Sequence, residues 1–383
     1  MKVLVTGIGL TSALGNLDQS WEKLLNGQSA IRLHQPFGEL PTLPLGLINA
    51  QPIDLTRLTK QVVAAAVKSS GLTLPLPECG VVIGSSRSYQ GMLEKLAKKQ
   101  LIGDGYTDNL EKNHSLFIHL LPHQPAILTA SQIGAKGIVL APMAACTTAI
   151  WAIARAVELI ETSQCQRVIV GAVESPITPL SIAGFGKMGA LAQTGAYPFD
   201  RYREGLVLGE GAAILVLESA EFAKQRRAKI YGQIRGFGLT NDANHGIIPD
   251  LNGKSALSAI AQCLARSGLA PEDIDYIHTH GTATKLNDSH EVNLIKQIFP
   301  HKVAVSSTKG ATGHTLGASG ALGAVFCLMA LKHQVLPPCV GLNDPEFDLD
   351  LIRYARQSQV QNVLCLSFGF GGQNAALVLS NGC

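Results

Sequence analysis

A short apolar run, a turn of small residues carrying one reactive side chain, and a long apolar helix follow one another twice in this chain. The first copy runs from residues 141–146 into 147–162, and the second from 306–317 into 318–332. Neither predicted helix shows a polar face, so both are expected to be central and buried. A buried helix must be covered on every side, and two in matching settings call for sheets around them. The repeat predicts a duplicated α/β fold, layered α-β-α-β-α, with two mixed sheets around buried central helices.

The rest of the pattern agrees with a duplication. Apolar strand-like runs fall at 3–5, 80–83, 138–140, 167–172 and 212–217, with helices at 17–26 and 55–70. Gly71 follows the second helix as a C′ glycine should. After about residue 228 the pattern restarts, with strands at 229–234, 276–278 and 303–306 and helices at 255–267 and 288–298. Two strands flank Gly369-Phe370-Gly371-Gly372 near the end. The expected halves are 1–228 and 229–383, and no Pro-, Gly- or Ser-rich linker separates them.

Several function classes are disfavoured by composition. Of 383 residues, 46% are apolar and only 15% charged, so much of the chain must be buried. A net charge of +3 is too small to argue for nucleic acid. The most apolar helical stretch, 321–331, falls short of the roughly twenty residues a bilayer needs. The opening run 1–7 breaks at once into Thr-Gly-Ile-Gly and reads as a buried first strand, not a signal peptide. Eight cysteines, at 79, 146, 165, 263, 327, 339, 365 and 383, form no CxxC pair. That spacing argues against a disulfide scaffold or zinc site and for a reducing, cytoplasmic setting.

Cys146 sits at the start of the helix at 147–162, where free N–H groups and the helix dipole favour an anion. The expectation is a depressed thiol pKa and a nucleophile. His280, in Thr279-His280-Gly281-Thr282-Ala283-Thr284, and His314, in Gly313-His314-Thr315-Leu316-Gly317-Ala318-Ser319-Gly320, each follow a strand end among small residues. A thiol with two imidazoles points to acyl transfer through a thioester. His278 alternates away from His280 on a strand and is read as structural. Asp288 and Glu291 have the spacing of an N-cap and its reaching partner. Gly184-Phe185-Gly186-Lys187-Met188-Gly189 matches GxGxxG but lies outside a βαβ setting, so nucleotide binding is not expected.

These residues carry a family resemblance over essentially the whole chain. Val5-Thr6-Gly7-Ile8-Gly9, Tyr197-Pro198-Phe199-Asp200, Gly209-Glu210-Gly211-Ala212, Pro271-Glu272-Asp273-Ile274-Asp275-Tyr276 and Ser367-Phe368-Gly369-Phe370-Gly371-Gly372-Gln373-Asn374 complete the motif set. The chain resembles the elongating 3-oxoacyl-(acyl carrier protein) synthases of the thiolase-like superfamily. Thiolases carry a second reactive cysteine where this chain reads Phe368-Gly369-Phe370, and initiating synthases place asparagine at His314.

The resemblance implies an acyltransferase of fatty-acid elongation that performs a decarboxylative Claisen condensation. Cys146 would carry the acyl primer, His280 and His314 would bind the malonyl thioester carbonyl, and the N–H groups of Cys146 and Phe370 would form an oxyanion hole. Lys309 and Glu291 map onto the supporting lysine and glutamate, with Asp288 beside them. Thr282 and Thr284 would hold the pantetheine arm, and Phe370 would gate the cysteine. Acyl carrier protein is the implied partner and a homodimer the implied assembly. No cofactor is implied beyond the carrier's phosphopantetheine, and no metal. Arg57, Lys60 and Lys68 share a helix face and are the expected docking cluster.

Departures from the family pattern fall in particular places. Trp151 stands five residues past the cysteine. Ser85-Ser86-Arg87-Ser88-Tyr89-Gln90 lacks the usual glycine-rich run, 121–126 lacks the usual asparagine, and the segment between Phe37 and Leu55 is short. They leave open a specialised ketosynthase of a polyketide or unusual-lipid pathway with the same chemistry.

Overall fold

A computed structural model describes residues 1–101, 118–299 and 301–382. Residues 102–117 of the atypical stretch at 85–126, and Cys383, lie outside the described residues. Ten strands carry the architecture. The first half supplies β1 (Val3–Ser12), β2 (Gly80–Gly84), β3 (Val139–Leu140), β4 (Arg167–Glu174) and β5 (Gly211–Ser219). The second supplies β6 (Gly232–Asn241), β7 (Tyr276–His278), β8 (Ala304–Ser306), β9 (Asn362–Gly369) and β10 (Gln373–Ser380).

Both halves repeat one topology. Across each half-sheet the order is first, fifth, fourth, second, third: β1-β5-β4-β2-β3 and β6-β10-β9-β7-β8. The pairings repeat as well, antiparallel for the first two and parallel for the next two. The half-sheets meet where β1 pairs with β6 through Val3↔Ile234, Leu4↔Gln233 and Val5↔Gly232. With the short strand Asp350–Leu351 at the far edge they form one continuous path, and Gly15–Asn16 pairs with β1 off that path to complete a 12-stranded sheet among the described residues. The parallel strands β2, β4, β7, β8 and β9 are apolar and buried along most of their length, as strands covered on both faces must be.

Five helices matter for the site: α1 (Leu55–Ser70), α2 (Thr148–Glu161), α3 (Lys254–Ser267), α4 (Lys285–Ile298) and α5 (Ser319–His333). Every residue of α5 from Ser319 to Leu331 is buried. Residues 316–333 reach a mean hydropathy of 1.4, the composition of a membrane span, yet 89% of that window is enclosed by the fold. Helix α2 departs from expectation. Trp151 and Glu158 are half-buried and Arg155 is exposed, so one stripe of α2 does face outward. The two helices touch at Gly320, where a Cβ would lie 2.8 Å from Ile150 Cγ1, so only glycine permits this approach.

The N-terminus of α4 also differs. The helix begins at Lys285, and the Thr284 hydroxyl, not Asp288, caps it by accepting the Asn287 N–H at 3.3 Å. Asp288 instead turns inward to accept N–H groups of Phe199 (2.9 Å) and Ala283 (3.2 Å), with Arg203 Nε at 3.5 Å. The Gly184–Gly189 segment falls largely within a helix, Pro179–Lys187, capped by Thr178. Gly71 and Gly268 close α1 and α3 in the left-handed conformation.

Candidate active site

Four reactive segments follow the C-terminal ends of parallel or mixed strands: Cys146 after β3, His280 after β7, Lys309 and His314 after β8, and Phe370 after β9. Functional groups gather at such strand ends because the loops there are free of pairing duties. Ala145 precedes the cysteine at φ +48, a left-handed turn that a non-glycine residue adopts only when its surroundings enforce it. The enforcement comes from both halves. Thr147 N–H donates to the Ala144 carbonyl at 3.0 Å, and the Ser367 hydroxyl donates to the Cys146 carbonyl at 3.0 Å. Gly369 lets β9 pass close, since a Cβ there would sit 3.1 Å from the Cys146 nitrogen.

The expectation of a depressed thiol is corrected. Burial pushes the Cys146 thiol up to about 11, against the pull of Lys309, Arg87 and the Phe370 N–H on its sulfur. Glu174 adds to the upward push. The resting group is therefore a thiol, because desolvation of a thiolate outweighs the favourable fields around it.

The rings of His280 and His314 lie edge to face, and one nitrogen of each falls within 4.8 Å of the other and of the Cys146 sulfur. His314 is anchored by its N–H to the Val207 carbonyl (2.6 Å), and its Nδ1 pairs with the Ser319 hydroxyl at 2.8 Å. The Lys309 ammonium donates to the His280 carbonyl and stands 3.5 Å from its Nδ1. Burial lowers both imidazoles well below their usual range, reinforced by Lys309. Both rings are neutral, so each has one N–H to donate.

Glu291 reaches back from α4 to accept the His280 N–H at 2.6 Å and the Gly281 N–H at 2.8 Å. It thus holds the loop after β7 and plays no part in the cap of its own helix. Burial raises its carboxyl to about 7 while the backbone donors and Lys309 pull it down. Burial lowers Lys309, and raises Asp288 to about 6.

A cavity of about 350 Å³ opens onto Cys146, His280, His314, Thr282, Thr284 and Phe370. Thr282 and Thr284 pair through their hydroxyls at 3.0 Å on its wall. Phe370 stacks on Phe185, ring centroids 6.0 Å apart. Sequence reasoning missed Phe185, Ser319, Ser367 and Glu174. Phe185, Ser319 and Ser367 lie inside the motifs singled out above without a role of their own, whereas Glu174 gives no local signal.

Among the described residues two groups could geometrically hold a metal: Cys146 with His280 and His314, and His278 with Cys327 and Cys365. In the second, His278 Nε2 pairs with Thr308 Oγ1 at 3.1 Å and Nδ1 stands 3.9 Å from Cys365. Among the described residues all seven cysteines are free and buried.

The geometry has close counterparts. The family model described as "Beta-ketoacyl synthase, N-terminal domain" matches residues 50–223, and "Beta-ketoacyl synthase, C-terminal domain" matches 231–343. A 3-oxoacyl-[acyl-carrier-protein] synthase 2 of Coxiella burnetii is 34% identical, covering 99% of this chain and 98% of its own. One of Synechocystis is 36% identical over 98% of this chain and 97% of its own. A ketosynthase solved in complex with its type II PKS acyl-carrier protein superposes with a TM-score of 0.91 at 26% identity, covering 99% of each chain.

Proposed function

The chain belongs to the beta-ketoacyl synthase family, and from that premise we propose that it condenses malonyl and acyl groups carried by acyl carrier protein, in fatty-acid elongation. The observation that carries this reading is the convergence of Cys146, His280 and His314 within 4.8 Å at one cavity. Pantetheine enters past Thr282 and Thr284. The Cys146 sulfur attacks the primer thioester carbonyl, the pantetheine sulfur departs with the thiol proton, and an acyl-enzyme remains. The N–H groups of Phe370 and Cys146 take the negative charge that develops on the carbonyl oxygen.

Malonyl carrier protein follows. His280 and His314, both neutral, donate to the malonyl thioester carbonyl, so charge passes to that oxygen as CO₂ leaves. The enolate carbon attacks the acyl-Cys146 carbonyl, a carbon–carbon bond forms, and the cysteine sulfur leaves and regains a proton. A charged imidazole would need to be held in a buried site at large cost, which is why neutrality suits these donors. Lys309, Glu291 and Asp288 support the histidine loops. The reaction as proposed uses no cofactor beyond the carrier's phosphopantetheine, and no metal.

The partners follow from the same reading. Arg57, Lys60 and Lys68 are exposed on α1 while Leu58, Val62 and Ala66 of the same helix are buried. They form a basic face for an acidic carrier. The edge strand β3 is followed by Met143, 66% exposed, and α2 turns its own stripe of Trp151, Arg155 and Glu158 outward. That surface suits a second copy of the chain. A cytoplasmic location accords with the free cysteines.

Mass spectrometry after incubation with acyl carrier proteins of graded chain length tests the function. One acyl adduct on Cys146 is expected, followed by 3-oxoacyl product when malonyl carrier protein is added. Cys146→Ala should keep its fold by circular dichroism and form neither. A stable adduct on the alanine variant refutes the assignment. A specialised ketosynthase acting in a polyketide or unusual-lipid pathway is favoured by the departures at Ser85–Gln90 and Trp151, and the same adduct series separates the two by primer preference.

A further inference from the structure

The stretch Ser85–Gln90 puts a cation near the nucleophile that the proposed condensation does not use. Its backbone is held firmly. Glu174, at the end of β4, accepts the Ser85 hydroxyl at 3.2 Å, the Ser86 N–H, and the Arg87 N–H at 3.3 Å. Ser86 Oγ in turn accepts the Gly317 N–H at 3.3 Å, and Ser88, at φ +47, donates its N–H to Ser85 Oγ at 2.8 Å. The loop is thereby tied to the His314 segment and cannot drift.

Arg87 is bound to Glu174 through its main chain, and its side chain takes another course. The guanidinium lies over Phe185, 5.7 Å from the ring centroid, and Phe370 stacks on the same Phe185. Phe185, Ile177, Ile182 and Leu206 form one apolar cluster with Cys146. Arg87 is near enough to pull the Cys146 thiol downward. Its Nε is enclosed yet has no hydrogen-bond partner among the described residues. A buried donor without a partner is costly and rare, and its natural remedy is an acceptor brought by a ligand.

Resting on the condensing-enzyme reading, we propose that Arg87 is a specificity-determining residue that selects acyl groups carrying an anionic or hydrogen-bond-accepting oxygen. Phe185 lines the Cys146 cavity and Arg87 lies over its ring without itself lining that cavity, so an acyl group that runs past Phe185, away from the histidines, would meet the guanidinium. A plain alkyl chain there strips water from a cation and leaves Nε unpaired. A carboxylate, carbonyl or hydroxyl on the chain satisfies it, and a charge-assisted pair in an apolar setting is among the stronger ones. The apolar wall keeps methylenes favourable up to that point, so the selected group is amphiphilic.

The test uses matched pantetheine thioesters of alkyl and ω-carboxyl acyl chains over a range of lengths, with Cys146 acylation read by mass spectrometry. In the wild type the ω-carboxyl member of at least one pair should acylate faster, by about tenfold to a hundredfold. Arg87→Met should abolish or invert that preference, and Arg87→Lys should keep part of it. An alkyl preference at every length in the wild type overturns the proposal, as does a carboxyl preference that survives Arg87→Met. An Arg87→Met protein with altered oligomeric state and unchanged preference makes Arg87 an interface residue and also overturns it. No Cys146 acylation by either series overturns the condensing-enzyme reading and this one together, whereas acylation without oxygen preference overturns this one alone.

Discussion

The imidazole of His280 meets that of His314 edge to face, with centroids 5.1 Å apart and planes at 82°. This arrangement lets two rings approach one point without stacking, so two N–H donors can converge on a single oxygen. Replacing either ring by alanine should slow malonyl decarboxylation by about 100- to 1000-fold, the cost of one lost oxyanion donor. Acylation of Cys146 should fall much less, since it precedes the step these donors serve. Separate assays of CO₂ release and adduct formation check this. A variant decarboxylating at the parent rate removes that histidine from the chemistry.

Ser319 is expected to act through His314. Its hydroxyl fixes Nδ1 at 2.8 Å and is itself paired with Thr315 Oγ1 at 3.2 Å. Ser319→Ala frees the ring to turn and leaves a buried nitrogen unpaired. Decarboxylation should drop about five- to thirtyfold, the equivalent of roughly 1–2 kcal/mol. The turnover number should carry the loss, with the Michaelis constant for malonyl carrier protein little changed.

The two histidines also make stability depend on pH. Burial lowers their folded pKa below the unfolded value of about 6.5. Below that pH the unfolded chain binds protons that the folded chain refuses, so stability is lost as pH falls and fully present above it. Each contributes up to about 1.4 kcal/mol per pH unit in that window. Urea midpoints of a His280→Asn, His314→Asn double variant should decline less steeply than those of the parent on acidification. Parallel declines would mean the imidazoles ionise normally in the folded protein.

Reversing charge on α1 probes carrier docking. Arg57→Glu with Lys60→Glu should raise the Michaelis constant for acyl carrier protein several-fold and flatten its salt dependence, because attraction between the surfaces is lost. Turnover with a small pantetheine thioester should be spared. Equal loss with both substrates would assign the helix to the fold alone.

Much of the fold is legible because apolar runs and glycine stops are local signals. Tyr276–His278 and the Gly71 and Gly268 helix ends fall where the sequence puts them. The start of α4 is not legible, because Lys285-Leu286-Asn287 lacks apolar periodicity and Asp288-x-x-Glu291 imitates a cap. The stripe at Trp151, Arg155 and Glu158 has helical spacing, and the apolar residues around it masked it. The site splits the same way. Cys146, His280 and His314 announce themselves by their small neighbours and share one cavity. Glu174 and Ser367 do not, since their partners lie 88 and 221 positions away. Nor does the sequence disclose that burial outweighs the helix start at Cys146, since desolvation depends on what packs above the turn.

The hydrogen bond from Ser367 to the Cys146 carbonyl has a bearing on biosynthesis. The turn that bears the nucleophile is clamped by a hydroxyl translated 221 residues later. At about 5–20 residues per second, that interval lasts roughly ten to forty seconds. Throughout it the nascent chain holds a cysteine without the clamp and without the Phe370 N–H, and His280 and His314 are themselves translated only partway through. A ribosome-bound chain therefore lacks the assembled condensation site, which is complete only when β9 threads in behind the turn.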